Sequence, residues 1–185
     1  ETFECLPKVP GSEYPYVEAF WWFLLTGEVP TEAQALEVVE EFKALRQIPQ
    51  YVIDLLRAMP RDTHPMTMFS AAILSMQRES EFVRRYNAGM SKMDYWEPMF
   101  EDCQNLLPKL PTIAAYIYRM KYKADRHIHP NAELDMGGNF AHQMGIAPPH
   151  ADVARMYIIL HSDHESGNVS AHTNHTVASA MSDCY

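Results

Sequence analysis

Cysteine is scarce in this chain of 185 residues, and basic residues are outnumbered by acidic ones. The three cysteines, Cys5, Cys103 and Cys184, are too few and too scattered for a disulfide framework, and no two have the spacing of a zinc or redox pair. We therefore treat them as ordinary small residues and expect a reducing compartment. Lys and Arg number 15 against 24 Asp and Glu, so no nucleic-acid interface is expected, because phosphate binding needs a basic surface.

Long apolar runs are absent too. The longest, residues 19–25, is far too short to cross a membrane and predicts a buried helix. The chain begins at Glu1 with no Met and no signal or transit segment, so we expect that some N-terminal sequence was removed or not included. A Gly-rich phosphate loop and a GxSxG motif are also missing, which gives no support to a phosphate-loop enzyme or a serine hydrolase.

Helical spacing is found along nearly the whole chain, whereas lasting two-residue alternation, hairpin turns and repeats are absent. Thr31 begins the capping-box sequence Thr-Glu-Ala-Gln and is followed at helical spacing by Leu36, Val39, Phe42 and Leu45. No linker rich in Pro, Gly or Ser divides the chain. We therefore predict an all-α, multi-helical fold that forms one domain or part of one.

Three segments carry more specific expectations. The apolar helix that starts at Met66 is expected to be buried, inside a domain or at a permanent interface. Residues 95–122 predict one long helix, kinked by Pro108 and Pro111 because proline lacks the backbone donor and clashes with the preceding turn. Residues 152–161 predict a strong helix. Its inward-facing side chains are expected to be Val153, Met156, Tyr157 and Leu160.

Five polar residues that could bind a ligand crowd the end of the chain, namely His161, His164, Asn168, His172 and His175. Because Gly167 breaks the helical pattern, we expect them to surround a corner between two helices, with Asn168 or Ser170 capping the second. The residues alone leave three interpretations open: packing or capping groups, a metal site, and a corner whose imidazoles and helix N–H groups bind a carboxylate. The pattern differs from HExxH and fixes no third ligand, so no metal is predicted.

The other histidines considered are expected to have structural rather than functional roles. His127 and His129 are expected to be exposed loop residues, and His64, which precedes Pro65, is expected to cap or pack at a turn. None of the three is predicted to act on a substrate.

Several motifs resemble segments of one enzyme family, the citrate synthases. Residues 161–173, HSDHESGNVSAHT, are close to the family's HSDHEGGNVSAHT, and residues 177–183, VASAMSD, resemble its continuation VGSALSD. Residues 64–72, HPMTMFSAA, are similar to the HPMSQ-SAA helix, and residues 25–31 to the L-TG-IPT segment. YWE at 95–97 and EDC at 101–103 fall where the family has them. The matches are ordered along the whole chain and are closest to the eukaryotic mitochondrial type.

This resemblance implies an all-α homodimer in which each subunit has a large and a small domain. Residues 1–185 would be part of the large domain, and the small domain would be absent from this chain. The implied enzyme is an acyltransferase that condenses oxaloacetate with acetyl-CoA and water to citrate and CoA in the mitochondrial matrix. Acetyl-CoA would be a substrate, and no bound cofactor is expected.

The resemblance also assigns roles to residues near the end of the chain. His164 corresponds to the family's oxaloacetate-binding imidazole, Asn168 to a residue that lines this corner, and Ser170 and His172 to positions that orient it. No catalytic residue is expected within the chain. The histidines of the family's GPLHG and GYGH segments, the aspartate that takes the methyl proton of acetyl-CoA and the carboxylate-binding arginines are all expected downstream of Tyr185. The chain alone is therefore predicted to be inactive.

Two departures from the family pattern leave fine specificity open. Ser166 replaces the first Gly of HEGGN, and Cys184 stands where a Pro is usual. A 2-methylcitrate synthase, or a non-catalytic helical protein that uses the scaffold for self-assembly, are the alternatives. The helices that begin at Met66 and Tyr95 fall where the family has its dimer interface, so a homodimer that buries them is predicted.

Overall fold

The computed structural model describes residues 2–162 and 169–185, and α-helices account for most of them. The only β-type pairing among these residues is a single antiparallel bridge between Lys8 and Pro15. The predicted all-α fold is therefore confirmed. The helices are α1 (Thr2–Cys5), α2 (Val17–Thr26), α3 (Glu32–Leu45), α4 (Gln50–Ala58), α5 (Pro65–Met76), α6 (Glu81–Asn87), α7 (Trp96–Leu106), α8 (Leu110–Tyr122), α9 (Met136–Met144), α10 (Ala151–Leu160) and α11 (Val169–Ala178).

Local sequence signals set the starts of α3 and α5 as predicted. The Thr31 hydroxyl accepts a hydrogen bond from the Gln34 N–H, and the Gln34 side chain accepts one from the Thr31 N–H, which completes the capping box. His64 caps α5, because its Nδ1 accepts a hydrogen bond of 3.2 Å from the Met66 N–H. The stripe predicted for α3 is only partly correct. Val39 and Phe42 are buried, but Leu36 is exposed.

The predicted long helix of residues 95–122 is two α-helices. A 3₁₀ turn, Leu107–Lys109, separates α7 from α8, and Pro108 lies in this turn. Proline cannot donate the hydrogen bond that would continue the α-helix, so the chain changes its winding there. The position of the interruption was predicted, but the single helix was not correct.

One hydrophobic core lies where α4, α5 and α8 meet. α5 buries one face completely, through Met68, Ala72 and Met76. Its other face is open, since Met66 and Leu74 are 60% and 63% exposed. The burial predicted for this helix therefore holds for one face of the single chain.

A second hydrophobic cluster joins α2, α3, α9 and α10, but α10 lies with an unexpected face inward. Val153, Tyr157 and Leu160, which were expected inside, are 54–58% exposed. Ala154, Arg155 and Ile159 are buried instead. The prediction was wrong because a charged residue was not expected inside the protein, whereas the Arg155 side chain is buried and its guanidinium forms ion pairs with Asp135 and Asp152. No helix in the described part of the chain is long and apolar enough to cross a membrane.

Candidate functional site

The segment predicted to bind substrate lies between α10 and α11 in sequence, and the structure describes only part of it. His164 and Asn168 lie outside the described residues, so their predicted roles stay predictions. Ser170 and His172 lie in the first turn of α11, and both are exposed. In α11, which the structure describes in full, no residue is buried. His175 is also exposed on this helix.

The C-terminal end of α10 directly precedes the predicted substrate-binding segment in sequence. His161 is the C-cap of α10; its Nδ1 lies 2.8 Å from the Tyr157 carbonyl oxygen, and its ring stacks on the Tyr157 ring with centroids 4.1 Å apart. The Ser162 hydroxyl donates a hydrogen bond of 2.7 Å to the Ile158 carbonyl. Both contacts satisfy carbonyls at the C-terminal end of α10.

A buried ion pair holds α10 against α9. The guanidinium of Arg155 donates to both carboxylate oxygens of Asp135, at 2.9 and 2.5 Å, and also contacts Asp152 at 2.7 Å. The side chains of Arg155 and Asp135 are only 7% and 3% exposed. Asp135 is at the same time the N-cap of α9, since it accepts a hydrogen bond from the Gly138 N–H. The Asp135 carboxylate therefore caps the start of α9 and also holds α10 in place through Arg155.

Two glycines in α9 make room for this pair. A Cβ atom at Gly137 would lie 2.5 Å from Cγ and 3.2 Å from Cα of Arg155. A Cβ at Gly138 would lie 2.7 Å from the Arg155 Nη2. The close approach of α9 to the Arg155 backbone therefore requires glycine at position 137, and a side chain at position 138 would crowd the end of the Arg155 side chain and the Asp135 carboxylate.

Glu18 is a second buried acid near the start of α9. Its side chain accepts a hydrogen bond of 2.8 Å from the Met136 N–H, while its other oxygen, Oε2, has no hydrogen-bond partner among the described residues. Burial, with a smaller contribution from the negative charge of Asp135, raises the pKa of Glu18 to about 7. This group therefore changes its charge near neutral pH.

Arg46 is buried beside Glu18. Its guanidinium donates to the carbonyls of Leu134 and Asn131 at 3.0 and 2.8 Å, so it fixes the loop that precedes α9. A small cavity of about 10 Å³, roughly the space of one water molecule, is lined in part by Arg46 and Glu18. Glu18 and Arg46 thus hold the start of α9 and the loop before it through buried hydrogen bonds.

The histidines of the 127–129 loop differ in their surroundings. The ring of His127 stacks on Tyr116 with centroids 3.9 Å apart, and its Nε2 lies 2.7 Å from Asp125. Its side chain is only 18% exposed, so the prediction of an exposed residue was wrong for His127. His129 is exposed, as predicted. Within residues 2–162 and 169–185, no group of three or more His, Cys, Asp or Glu side chains could hold a metal ion.

Sequence reasoning missed Glu18, Asp135 and Arg155. Each carried a signal, because each is a charged residue in or beside a segment whose other residues pack in the core. Asp135 also precedes Gly137 and Gly138, which are unfavourable in a helix unless close packing requires them. These three residues hold α9 and α10 in place, and none of them is predicted to contact a substrate.

Comparison with known proteins places this architecture in one family. The family described as "Citrate synthase, C-terminal domain" matches residues 10–185. The chain is 45% identical over 187 residues to the mitochondrial citrate synthase of Xiphias gladius, covering 100% of this chain and 40% of that protein. It is 45% identical over 183 residues to the peroxisomal citrate synthase of Saccharomyces cerevisiae, covering 97% and 39%.

A solved structure agrees with these sequence matches. Citrate synthase from Pyrobaculum aerophilum superposes with a TM-score of 0.77 at 27% identity, over 91% of this chain and 42% of that one. The chain therefore spans about two fifths of the length of the relatives it matches. The match over residues 10–185 and the shared fold show that this chain belongs to the citrate synthase family.

Proposed function

We propose that the full-length protein is an acyltransferase that condenses oxaloacetate with acetyl-CoA and water to give citrate and CoA. The observation that carries this proposal is the family match over residues 10–185. The chain is proposed to be part of the large domain, with the small domain outside it. Acetyl-CoA is then a substrate, and no bound cofactor is proposed.

The proposed oxaloacetate-binding residues are His164 and Asn168, with Ser170 and His172 orienting the corner. Imidazole N–H groups can donate hydrogen bonds to a carboxylate or carbonyl oxygen, and the N-terminus of a helix favours negative charge. Two features support the assignment: α11 begins at Val169, directly after this segment, and the buried Arg155 anchors the helix that precedes it. We place the residues that transfer protons outside residues 1–185, so the chain alone is proposed to be inactive.

A homodimer is part of the same proposal. Exposed apolar side chains mark the outer face of α5 and the start of α7, where Leu74 and Trp96 are 63% and 68% exposed. Met93, just before α7, is 82% exposed. Large apolar side chains that stay exposed on a single chain are typical of association surfaces, so we propose that a second copy of the chain covers them.

The proposed compartment is the mitochondrial matrix. The relative from Xiphias gladius is named mitochondrial, but the equally similar relative from Saccharomyces cerevisiae is named peroxisomal. Fractionation of cells that express the full-length protein distinguishes the two compartments.

A steady-state assay of CoA release by the full-length protein tests the proposed reaction. With oxaloacetate present, we expect faster turnover with acetyl-CoA than with propionyl-CoA. Faster turnover with propionyl-CoA would identify a 2-methylcitrate synthase. No turnover with either thioester would favour a non-catalytic helical protein that self-assembles on this scaffold.

A further inference from the structure

A cavity of about 330 Å³ lies where α4, α8 and the end of α9 meet the loop of residues 127–130. All the residues that line it fall between positions 47 and 143 of the chain. Cavities of this size in proteins commonly hold a small organic molecule. We call it the α4–α8 cavity.

The lining of the α4–α8 cavity is basic, although the chain as a whole is acidic. Arg57, Arg119, His127 and His129 line it, and no Asp or Glu is among its lining residues in the described part of the chain. The whole sequence, by contrast, has 24 Asp and Glu against 15 Lys and Arg. Since the charge that lines a cleft acts on a ligand more strongly than the distant surface does, this lining favours an anion.

Arg57 is held at the cavity by one nitrogen and keeps two others for a ligand. Its Nε donates a hydrogen bond of 2.9 Å to the Tyr116 hydroxyl. Its two terminal nitrogens donate to no residue within 2–162 and 169–185. A guanidinium binds a planar carboxylate through two parallel hydrogen bonds, so the free end of Arg57 suits this group.

A chain of contacts fixes the partner of Arg57. The Tyr116 ring stacks on the His127 ring, with centroids 3.9 Å apart and planes 7° from parallel. His127 in turn pairs with Asp125 at 2.7 Å, so any positive charge on this imidazole is met outside the cavity lining. His127 therefore keeps a structural role, and the two arginines supply the charge of the cavity.

Arg119 adds charge from a fixed position. Its Nη1 donates a hydrogen bond of 3.2 Å to the Met144 carbonyl, and its Nε donates to the Arg126 carbonyl. Both contacts are to neutral groups, so no carboxylate of the described chain neutralises this guanidinium.

Gln143 supplies a second donor, from a buried position. Its side-chain oxygen accepts hydrogen bonds from the Thr112 hydroxyl at 3.2 Å and from the Asn139 amide at 2.9 Å. The residue is only 4% exposed, yet its amide nitrogen donates to no residue in the described part of the chain. Buried amides rarely stay without a partner, so an oxygen atom of a ligand fits here.

The rest of the lining is aliphatic. Ile48, Ile53, Ala115, Ile128 and Pro130 contribute the apolar walls. A ligand that fills the cavity therefore carries a hydrocarbon part as well as its charged group, since burial of apolar surface adds to binding.

We propose that the α4–α8 cavity binds a small aliphatic carboxylate. Arg57 and Gln143 supply hydrogen-bond donors, Arg119 adds positive charge, and the aliphatic walls cover the hydrocarbon chain. This proposal does not depend on the reaction that the full-length protein catalyses, because binding is measured without turnover.

A binding titration of the full-length protein by saturation-transfer NMR tests the ligand class. Hexanoate should bind in a saturable manner and at least about tenfold more tightly than hexanol, which has the same chain without the charge. Hexyl phosphate should bind more weakly than hexanoate, because one guanidinium end matches a planar carboxylate better than a tetrahedral dianion. No saturable binding of hexanoate, or tighter binding of hexanol or hexyl phosphate, would overturn the proposal.

Variants test whether hexanoate binds in this cavity. Arg57→Gln should weaken hexanoate binding by at least about tenfold, as for the loss of a hydrogen bond to a charged group. Arg84→Gln, at an exposed position of α6, is the matched control and should bind hexanoate as tightly as wild type. Equal affinities for wild type and Arg57→Gln would place the hexanoate elsewhere and contradict the proposal.

A second variant keeps the test valid if Arg57→Gln folds poorly. Gln47→Glu preserves the size of an exposed lining residue and adds a negative charge beside the cavity. Hexanoate should bind this variant severalfold more weakly because like charges repel, whereas hexanol binding should not change. An unchanged affinity for hexanoate in this variant would count against a carboxylate in the cavity.

Discussion

The guanidinium of Arg155 and the carboxylate of Asp135 form a doubly hydrogen-bonded pair, at 2.9 and 2.5 Å, that is almost completely removed from water. Asp135 caps α9, and Arg155 lies in the middle of α10, so the pair fixes one helix relative to the other. α10 directly precedes the predicted substrate-binding segment in sequence, so this contact fixes the helix from which that segment continues.

Removing one member of this pair should destabilise the protein strongly. Arg155→Ala leaves the buried charge of Asp135 without its partner, and we expect a loss of about 3–5 kcal/mol in the free energy of unfolding. Urea unfolding of the full-length protein measures it. Lys8→Ala removes an exposed pair, Lys8 with Glu13 at 3.5 Å, and should change stability by less than about 1 kcal/mol.

A double variant separates the charge from the packing. Arg155→Met with Asp135→Leu removes both charges and should lose less stability than Arg155→Ala alone, because no unpaired charge stays buried. Equal losses in Arg155→Ala and Lys8→Ala would contradict the role given to the buried pair.

Gly137→Ala tests the close packing of α9 on α10 through the sign of its effect. At an open helical position this change stabilises by about 1 kcal/mol, since glycine is a poor helix former. Here the added Cβ would lie 2.5 Å from the Arg155 side chain, and we expect destabilisation by about 1–3 kcal/mol. A rise in the thermal unfolding temperature would show that α10 can move away from α9 at little cost.

How far the sequence predicts this fold depends on the range of the interactions involved. The caps formed by Thr31 and His64 and the interruption at Pro108 were predictable, because each depends on residues within one turn. The inward face of α10 was not, because the burial of Arg155 depends on an acid in another helix. The predicted site residues came from resemblance, and His164 and Asn168 lie outside the described residues.

Glu18 should make stability depend on pH between about 4.5 and 7. Its pKa rises from 4.5 to about 7 in the folded chain, so the folded state binds a proton more tightly than the unfolded state. Stability is then greatest below the unfolded pKa and is lost as pH rises through the folded pKa, by about 3 kcal/mol in total. Unfolding of wild type and Glu18→Gln, followed from pH 4.5 to 8, measures the difference.

The glutamine variant should lack this dependence and should be the more stable protein at pH 8. Glu13→Gln, at an exposed position, controls for the loss of one negative charge. Parallel pH profiles for wild type and Glu18→Gln would show that burial does not shift this titration.

The outer face of α5 should hold the proposed homodimer together. Leu74→Glu places a charge on an exposed apolar position of this face, and we expect the full-length protein to shift from dimer to monomer in light scattering. Glu37→Lys, on the exposed side of α3, is the control and should stay dimeric. A wild-type protein that is already monomeric at micromolar concentration would contradict the proposed assembly.

Calorimetric binding of oxaloacetate to the full-length protein and to its His164→Gln variant tests the proposed role of His164. We expect the loss of this imidazole to weaken binding by roughly tenfold or more, as for the loss of a hydrogen bond to a charged group. His129→Gln, which alters an exposed loop histidine, should bind oxaloacetate as tightly as wild type. Equal affinities for wild type and His164→Gln would contradict the assignment of this corner as the oxaloacetate site.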